Sequence, residues 1–281
     1  MEIIRTVSEM KAKAAAWKAE GLSIGLVPTM GFLHEGHRSL VKRAVSDNDR
    51  AVVSIFVNPI QFGVNEDFDR YPRDLKKDAD MCAEAGADVI FNPSEQEMYP
   101  AGFCSYTDMA LVTEGLCGAR RPGHFRGVCT VVMKLLNIAA PDRAYFGQKD
   151  AQQLAVIKRM TRDFNMDVEI TGMPIVREAD GLAMSSRNTY LSGDERAAAL
   201  YINKALSEAL RIFRDGDADI QQIKRHIETT LSGLPSVKID YVEIVDAETM
   251  QAIQTLDRSA LCAVAAYVGK TRLIDNVVLE V

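Results

Sequence analysis

Through its first ~175 residues the chain alternates short apolar runs with amphipathic stretches of helical period, and this constrains its fold most strongly. Thr6-x-x-Glu9 has the form of a capping box and opens a helix with Val7, Met10, Ala14 and Trp17 on one face. Gly21 ends that helix, and residues 22–27 read as a buried strand. A short helix follows at 37–45, then a strand at 51–57. The next helix carries Pro72 in its first turn and ends at Ala85 before Gly86, leading to a strand at 88–91. Val128, Val131, Val132, Leu135 and Leu136 mark a further helix; 143–146 reads as a strand and 150–162 as a helix, and short strands at 168–170 and 174–176 close the series. Alternation of this kind predicts a doubly wound α/β fold, a parallel sheet with helices on both faces. After Arg177 the pattern changes. Ser192-x-x-Glu195 opens a helix, Ile220, Ile223, Ile227 and Leu231 mark a second, and three strand-like runs follow at 237–245, 261–268 and 273–281. Helices followed by strands predict a smaller α+β domain, which divides the chain into 1–176 and 177–281.

Charge and cysteine content narrow the class of function. Thirty-three Lys and Arg against 39 Asp and Glu leave a net charge of −6 among 281 residues, which argues against nucleic-acid binding through a basic surface. The uncharged run 21–33 is interrupted by Pro28 and falls short of the ~20 residues that span a bilayer. The N-terminus has no basic segment leading into an apolar one, so no secretory signal and no membrane partner are expected. Five cysteines without a C-x-x-C pair argue against a disulfide framework or zinc ribbon; reduced, buried thiols and a cytoplasmic location are expected.

Several segments at expected strand ends carry chemistry. Pro28-Thr29-Met30-Gly31-Phe32-Leu33-His34-Glu35-Gly36-His37 follows the first central strand, where a doubly wound sheet faces its ligand crevice. Backbone N–H groups at the following helix start suit phosphate oxygens, and Gly31 and Gly36 let a nucleotide approach the backbone. His34 and His37 then read as phosphate donors; the alternatives are a metal pair, without H-E-x-x-H spacing, or capping residues. In Phe56-Val57-Asn58-Pro59-Ile60-Gln61-Phe62, Asn58 and Gln61 read either as hydrogen-bonding groups for a small substrate or as a polar turn pinned by Pro59. Arg120-Arg121-Pro122-Gly123-His124-Phe125-Arg126 is either an anion-binding rim or a solvated loop. In Gly147-Gln148-Lys149-Asp150-Ala151-Gln152-Gln153, Lys149 suits a phosphate, while Asp150-x-x-Gln153 has capping-box form. Met184-Ser185-Ser186-Arg187 follows an expected turn at Asp180-Gly181 and reads as a polyphosphate clamp or a linker.

Taken together, PTMGFLHEGH, FVNPIQF, RRPGHFRGV, YFGQKDAQQ and MSSRN resemble the pantothenate synthetase (pantoate–β-alanine ligase) family in order and approximate spacing, across nearly the whole chain. The H-x-G-H element alone is shared with nucleotidylyltransferases and class I aminoacyl-tRNA synthetases; the five segments in series are specific. The resemblance implies a Rossmann-like nucleotide- and pantoate-binding domain at 1–176, a lid domain at 177–281, and a homodimer. It implies condensation of (R)-pantoate with β-alanine through a pantoyl adenylate, with ATP and Mg²⁺ giving AMP and pyrophosphate. By the same resemblance Met30, Gly31, His34, Gly36, His37, Gly147, Gln148, Lys149, Asp150, Val176, Met184, Ser185, Ser186 and Arg187 meet ATP. His34, His37, Lys149, Ser185, Ser186 and Arg187 act on its phosphates, and Gln61 and Gln153 hold pantoate; Asn58 is expected beside them in the pantoate and β-alanine site. The Mg²⁺ ligands are not assigned. Phe32 and Gln148 depart from the residues many relatives carry, a small one and Glu. The competing readings are a nucleotidylyltransferase that leaves the nucleotide on its product, and a catalytically idle nucleotide-binding regulator.

Overall fold

A computed structural model describes residues 1–64, 66–216 and 219–281. In chain order its elements are β1 (Glu2–Ile4), α1 (Val7–Ala19), β2 (Ile24–Thr29), α2 (Glu35–Asp47), β3 (Arg50–Ile55), α3 (Leu75–Ala85), β4 (Val89–Phe91), α4 (Glu95–Met98) and α5 (Leu116–Arg120). There follow α6 (His124–Ala139), β5 (Arg143–Gly147), α7 (Ala151–Asp163), β6 (Glu169–Met173), α8 (Gly193–Arg214), α9 (Ile220–Ser232), β7 (Val237–Asp246), β8 (Ala260–Val268) and β9 (Thr271–Leu279). They form two compact units. One comprises Met1–Ala110, Arg121–Gln148 and Val156–Pro174, the other Leu111–Arg120, Lys149–Ala155 and Ile175–Val281. Chain order alone suggests a single division at 176/177; contacts also assign 111–120 and 149–155 to the second unit. Buried Gln152 ties those two segments together: its Oε1 accepts from the Cys117 N–H at 2.9 Å, and its Nε2 donates to the carbonyls of Val112 and Gly115.

The first unit is built on a parallel sheet in the order β1-β4-β3-β2-β5-β6. Val27, Val53 and Ile90 from the sheet pack with Leu40, Val41 and Ala44 of α2 and Cys82 and Ala85 of α3. From β2 the chain crosses to β3 on one side and later returns to β5 on the other. The C-terminal ends of β2 and β5 therefore flank a topological switch point, where open α/β sheets bind ligands. The strand-and-helix alternation is realised with local adjustments. The helix expected from 37 starts at Glu35 because His34 caps it. Pro72 lies ahead of α3, whose cap is Asp74, with Oδ1 accepting from the Lys77 N–H at 3.1 Å. The expected strand at 174–176 does not form. The Val176 carbonyl instead accepts from the Met184 N–H at 3.0 Å, beside a bridge between Arg177 and Ala183.

In the second unit β7, β8 and β9 form an antiparallel sheet. Ala199, Ile202 and Leu206 of α8 and Ile223, Ile227 and Leu231 of α9 bury against Val242, Ile244, Val264 and Leu279. The 3.6-residue spacing of those apolar side chains explains both helices. Ser192 and Glu195 make the reciprocal capping box that starts α8. All five thiols are free; four are buried, whereas Cys104 is exposed, contrary to the expectation of uniformly buried cysteines. Among the described residues no helix is long and apolar enough to cross a membrane.

Candidate active site

The loop after β2 is shaped by two imidazoles that cap the next helix. His34 is the N-cap of α2, and its Nδ1 accepts from the Gly36 N–H at 3.2 Å; the His37 Nδ1 accepts in turn from the His34 N–H at 3.3 Å. Their ring centroids lie 4.1 Å apart. An Nδ1 that accepts from a backbone N–H keeps its lone pair, so in the neutral ring the hydrogen resides on Nε2. The capping reading of these histidines and the donor reading are thus compatible: Nδ1 serves the helix start while Nε2 carries an N–H. The α2 N-terminus adds partial positive charge at the same place.

One acid holds the turn leading to this pair. Asp78 of α3 is 1% exposed, and its carboxylate accepts from the N–H groups of Phe32 at 2.8 Å and Leu33 at 2.7 Å. Burial is the largest influence on its carboxyl and pushes the pKa above the ordinary value, against those two hydrogen bonds. The turn needs such support. Gly31 has φ +83°, and a Cβ there would lie 3.0 Å from the Asp78 Oδ2 and 3.1 Å from the Ile55 Cγ2. Phe32 sits at φ +50°, a left-handed conformation that costs a side-chain-bearing residue about 1–2 kcal/mol. Met30, Gly31 and Asp78 also line a cavity of about 360 Å³ at the ends of β2, β3 and β4, with Arg73, Asn92 and Ser94 on its wall.

Asn58 and Gln61 lie on a single helical turn after β3. Asn58 is 1% exposed. Its Nδ2 donates to the Gln61 Oε1 at 2.9 Å and the Gly127 carbonyl at 3.1 Å, and its Oδ1 accepts from the Tyr99 hydroxyl at 2.7 Å. Both amide hydrogens of Asn58 are thereby committed within the protein, so the second lone pair of its Oδ1 is what is left for a substrate. Gln61 is half-buried and directs Nε2 toward the Met30 Sδ, 3.2 Å away.

The basic segment at 120–126 is not an open anion rim. Arg121 pairs with Glu66 through two bonds of 2.6 Å, and its Nη1 lies 2.9 Å from the His124 Nε2. Burial raises the Glu66 carboxyl, but Arg121 outweighs it and holds the group below its usual range. The His124 Nδ1 is 2.9 Å from the Gln61 carbonyl, an obligate acceptor, so that nitrogen donates. Arg126 lies 4.1 Å over the Tyr106 ring, and Arg120 contacts Asp240. Arg121 and His124 together brace the Gln61 turn, a role without a local sequence signature.

The second unit gathers another set. Gly147, at the end of β5 in the first unit, leads into the Gln148–Asp150 turn that opens α7. The Lys149 Nζ lies 3.8 Å from an Asp150 carboxylate oxygen, and the Lys149 carbonyl accepts from the Asn276 Nδ2 at 3.0 Å. Lys149 and Ser185 face one small cavity of about 10 Å³, with Asn188 and Asp275. Ser185 caps the 186–190 turn, accepting from the Arg187 N–H at 3.2 Å, and Ser186 is buried within it. The Val176–Met184 backbone pair sets where this turn begins. Arg177, in the bridged pair with Ala183 just before it, makes a bidentate pair with buried Asp275, at 2.6 and 3.0 Å. Gln153, half-buried on α7, follows the fully engaged Gln152. Among the described residues no three His, Cys, Asp or Glu side chains gather as a metal cage.

Comparison with known proteins agrees with this arrangement over the full chain. The family profile described as Pantoate-beta-alanine ligase matches residues 2–278. The chain is 55% identical over 276 residues to the pantothenate synthetase of Clostridium acetobutylicum, covering 98% of each, and 56% identical over 281 residues to that of Heliobacterium modesticaldum, covering 100% of each. Among solved structures, pantothenate synthetase from Thermus thermophilus superposes with a TM-score of 0.93 at 43% identity over 100% of both chains. The Francisella tularensis pantoate-beta-alanine ligase, complexed with beta-gamma ATP and beta-alanine, gives 0.81 at 36% identity, covering 100% of this chain and 98% of the other. With the fold, the motifs and these relatives in accord, the chain belongs to the pantoate–β-alanine ligase family.

Proposed function

We infer that the chain condenses (R)-pantoate with β-alanine, using ATP and releasing AMP and pyrophosphate. A carboxylate does not acylate an amine directly, because its leaving group would be oxide. Attack by a pantoate carboxylate oxygen on the α-phosphorus of ATP forms pantoyl adenylate and breaks the bond to the β-phosphate, which departs with its electron pair as pyrophosphate. The β-alanine amine then attacks the acyl carbon. A C–N bond forms, the C–O bond to AMP breaks, and the amine releases its proton.

The observation that carries this reading is the reciprocal His34–His37 cap, which presents two Nε2–H groups at the helix start beyond β2 in a chain of this family. An anionic nucleophile approaching a polyanion requires charge neutralisation and in-line alignment. We assign the phosphate contacts to His34, His37, Lys149, Ser185, Ser186 and Arg187. The remaining ATP contacts fall to Met30, Gly31, Gly36, Gly147, Gln148, Asp150, Val176 and Met184, and pantoate to Gln61 and Gln153. Residues 177–281 take the lid role, with 184–187 protecting the adenylate from water. Mg²⁺ enters as the ATP complex, since it holds phosphate oxygens and waters more readily than an all-protein cage, and it lowers the negative charge the nucleophile meets. A cytoplasmic homodimer completes the proposal, supported by free thiols and family resemblance.

Incubation with ATP, Mg²⁺, pantoate and β-alanine, each omitted in turn, tests it. Pyrophosphate release is expected to require ATP, Mg²⁺ and pantoate but not β-alanine, in an amount near that of enzyme, and continuous AMP formation to require all four. A product that retains the nucleotide when all four are present would reject the reading.

A further inference from the structure

The polarity of the buried amide chain beneath Gln61 is dictated by one group that has no choice. A backbone carbonyl only accepts, so the contact at 3.1 Å between the Asn58 carboxamide and the Gly127 oxygen must come from Nδ2. The Asn58 Oδ1 then faces Tyr99, whose hydroxyl donates at 2.7 Å. Burial pushes the Tyr99 phenol above its ordinary pKa, which keeps that hydrogen in place. The second Nδ2 hydrogen of Asn58 goes to the Gln61 Oε1 at 2.9 Å. Gln61 is left with Nε2 on its outward side, beside the Met30 sulfur. An amide that could otherwise present either a donor or an acceptor presents only a donor.

We propose that Tyr99 is a positioning residue for substrate recognition: through Asn58 it fixes the carboxamide of Gln61 so that an N–H, not a carbonyl, meets an acceptor oxygen of pantoate. This rests on the assignment of Gln61 to pantoate. Without the hydroxyl, the Asn58 Oδ1 is buried and unsatisfied as it stands, or turns and sets an oxygen against the Gly127 carbonyl. Either way the anchor of Gln61 loosens. The Tyr99 ring itself packs on Phe56 and Phe103, with centroids 6.1 and 5.0 Å apart, and Tyr99→Phe keeps that packing.

Steady-state kinetics of Tyr99→Phe, Gln61→Ala and the double variant, with each substrate varied in turn, decide the matter. Tyr99→Phe is expected to raise the KM for pantoate about three- to tenfold, the loss of one neutral hydrogen bond, with the KM for ATP and kcat within about twofold of wild type. In the Gln61→Ala background the same change is expected to have no further effect on the KM for pantoate, because a residue that acts only through Gln61 has nothing left to position. Asn58→Asp provides an independent variant: it keeps the acceptor for Tyr99 but has at most one hydrogen where the amide has two, and a similar rise is expected. An equal rise with and without Gln61 would overturn the proposal, as would no rise in Tyr99→Phe or a parallel rise for ATP. If Gln61→Ala leaves pantoate unaffected, the pantoate assignment itself fails and the proposal falls with it.

Discussion

At the residue scale each imidazole of the His34–His37 pair caps the start of α2 through Nδ1, and the proposed phosphate contact falls to Nε2, so substitutions can separate the two. His37 occupies the third helical position, where Glu commonly reaches back to the N-cap N–H. His37→Glu is expected to keep the cap, and with it a melting temperature near wild type, while removing the donor and adding negative charge. Pyrophosphate release in a single turnover should fall by at least ~10²-fold, the usual loss for one electrostatic donor. A near wild-type rate would remove His37 from the chemistry. The motif spacing made this pair readable from sequence, because both partners lie within four residues. Asp78 was not readable. It is one of several acids along α3, and the N–H groups it accepts from belong to residues 45 and 46 positions earlier. Asp78→Asn replaces one acceptor oxygen with a donor aimed at an N–H. A stability loss of about 1–3 kcal/mol in urea denaturation is expected, with slower adenylate formation as the Phe32 turn relaxes. Unchanged denaturation and rate would show that the turn holds itself.

At the element scale the approach of α6 to the Asn58–Gln61 turn matters most. A Cβ on Gly127 would sit 2.4 Å from the Ile60 carbonyl oxygen and 2.6 Å from the Gln61 Cα. Helix propensity alone makes Gly→Ala favourable by up to about 1 kcal/mol. Contact with rigid backbone outweighs that, and Gly127→Ala is expected to destabilise by about 1–3 kcal/mol. Because the helix must move away from Gln61, the KM for pantoate should rise while that for ATP holds. A stabilised variant with unchanged pantoate kinetics would contradict this. The helices themselves were legible because their apolar spacing and caps are local. What escaped was set by distant partners. β1 has only three residues and exists through its pairing with β4, and 174–176 is extended chain that found a hairpin partner in place of a sheet. The basic segment at 120–126 misled for the same reason, since Glu66 and Tyr106, which engage its arginines, are remote in sequence.

At the scale of the whole molecule, the change from alternating elements to helices followed by strands predicts two domains, but nothing in that pattern places 111–120 and 149–155 with the second of the two compact units. Gln152 makes that connection through backbone groups, and nothing in its sequence context distinguishes it from Gln153. The cysteines offer a direct readout of the two cores. Cys82 and Cys129 lie in the first unit and Cys262 in the second, all fully buried, with burial pushing each thiol up to about 12. A thiol so placed forms almost no thiolate near neutral pH and reacts only when its surroundings open. Native protein treated with a thiol reagent at pH 8 is therefore expected to label rapidly at exposed Cys104, with Cys82, Cys129 and Cys262 protected. In pulsed labelling across a urea series, Cys82 and Cys129 should become reactive together, because both are buried within the same compact unit. Cys262 should follow the midpoint of the α8–α9 core against β7–β9. Separate midpoints for Cys82 and Cys129 would mean that the parallel-sheet unit does not open as one body, and labelling of Cys262 in native buffer would mean that the second core is looser than its packing implies.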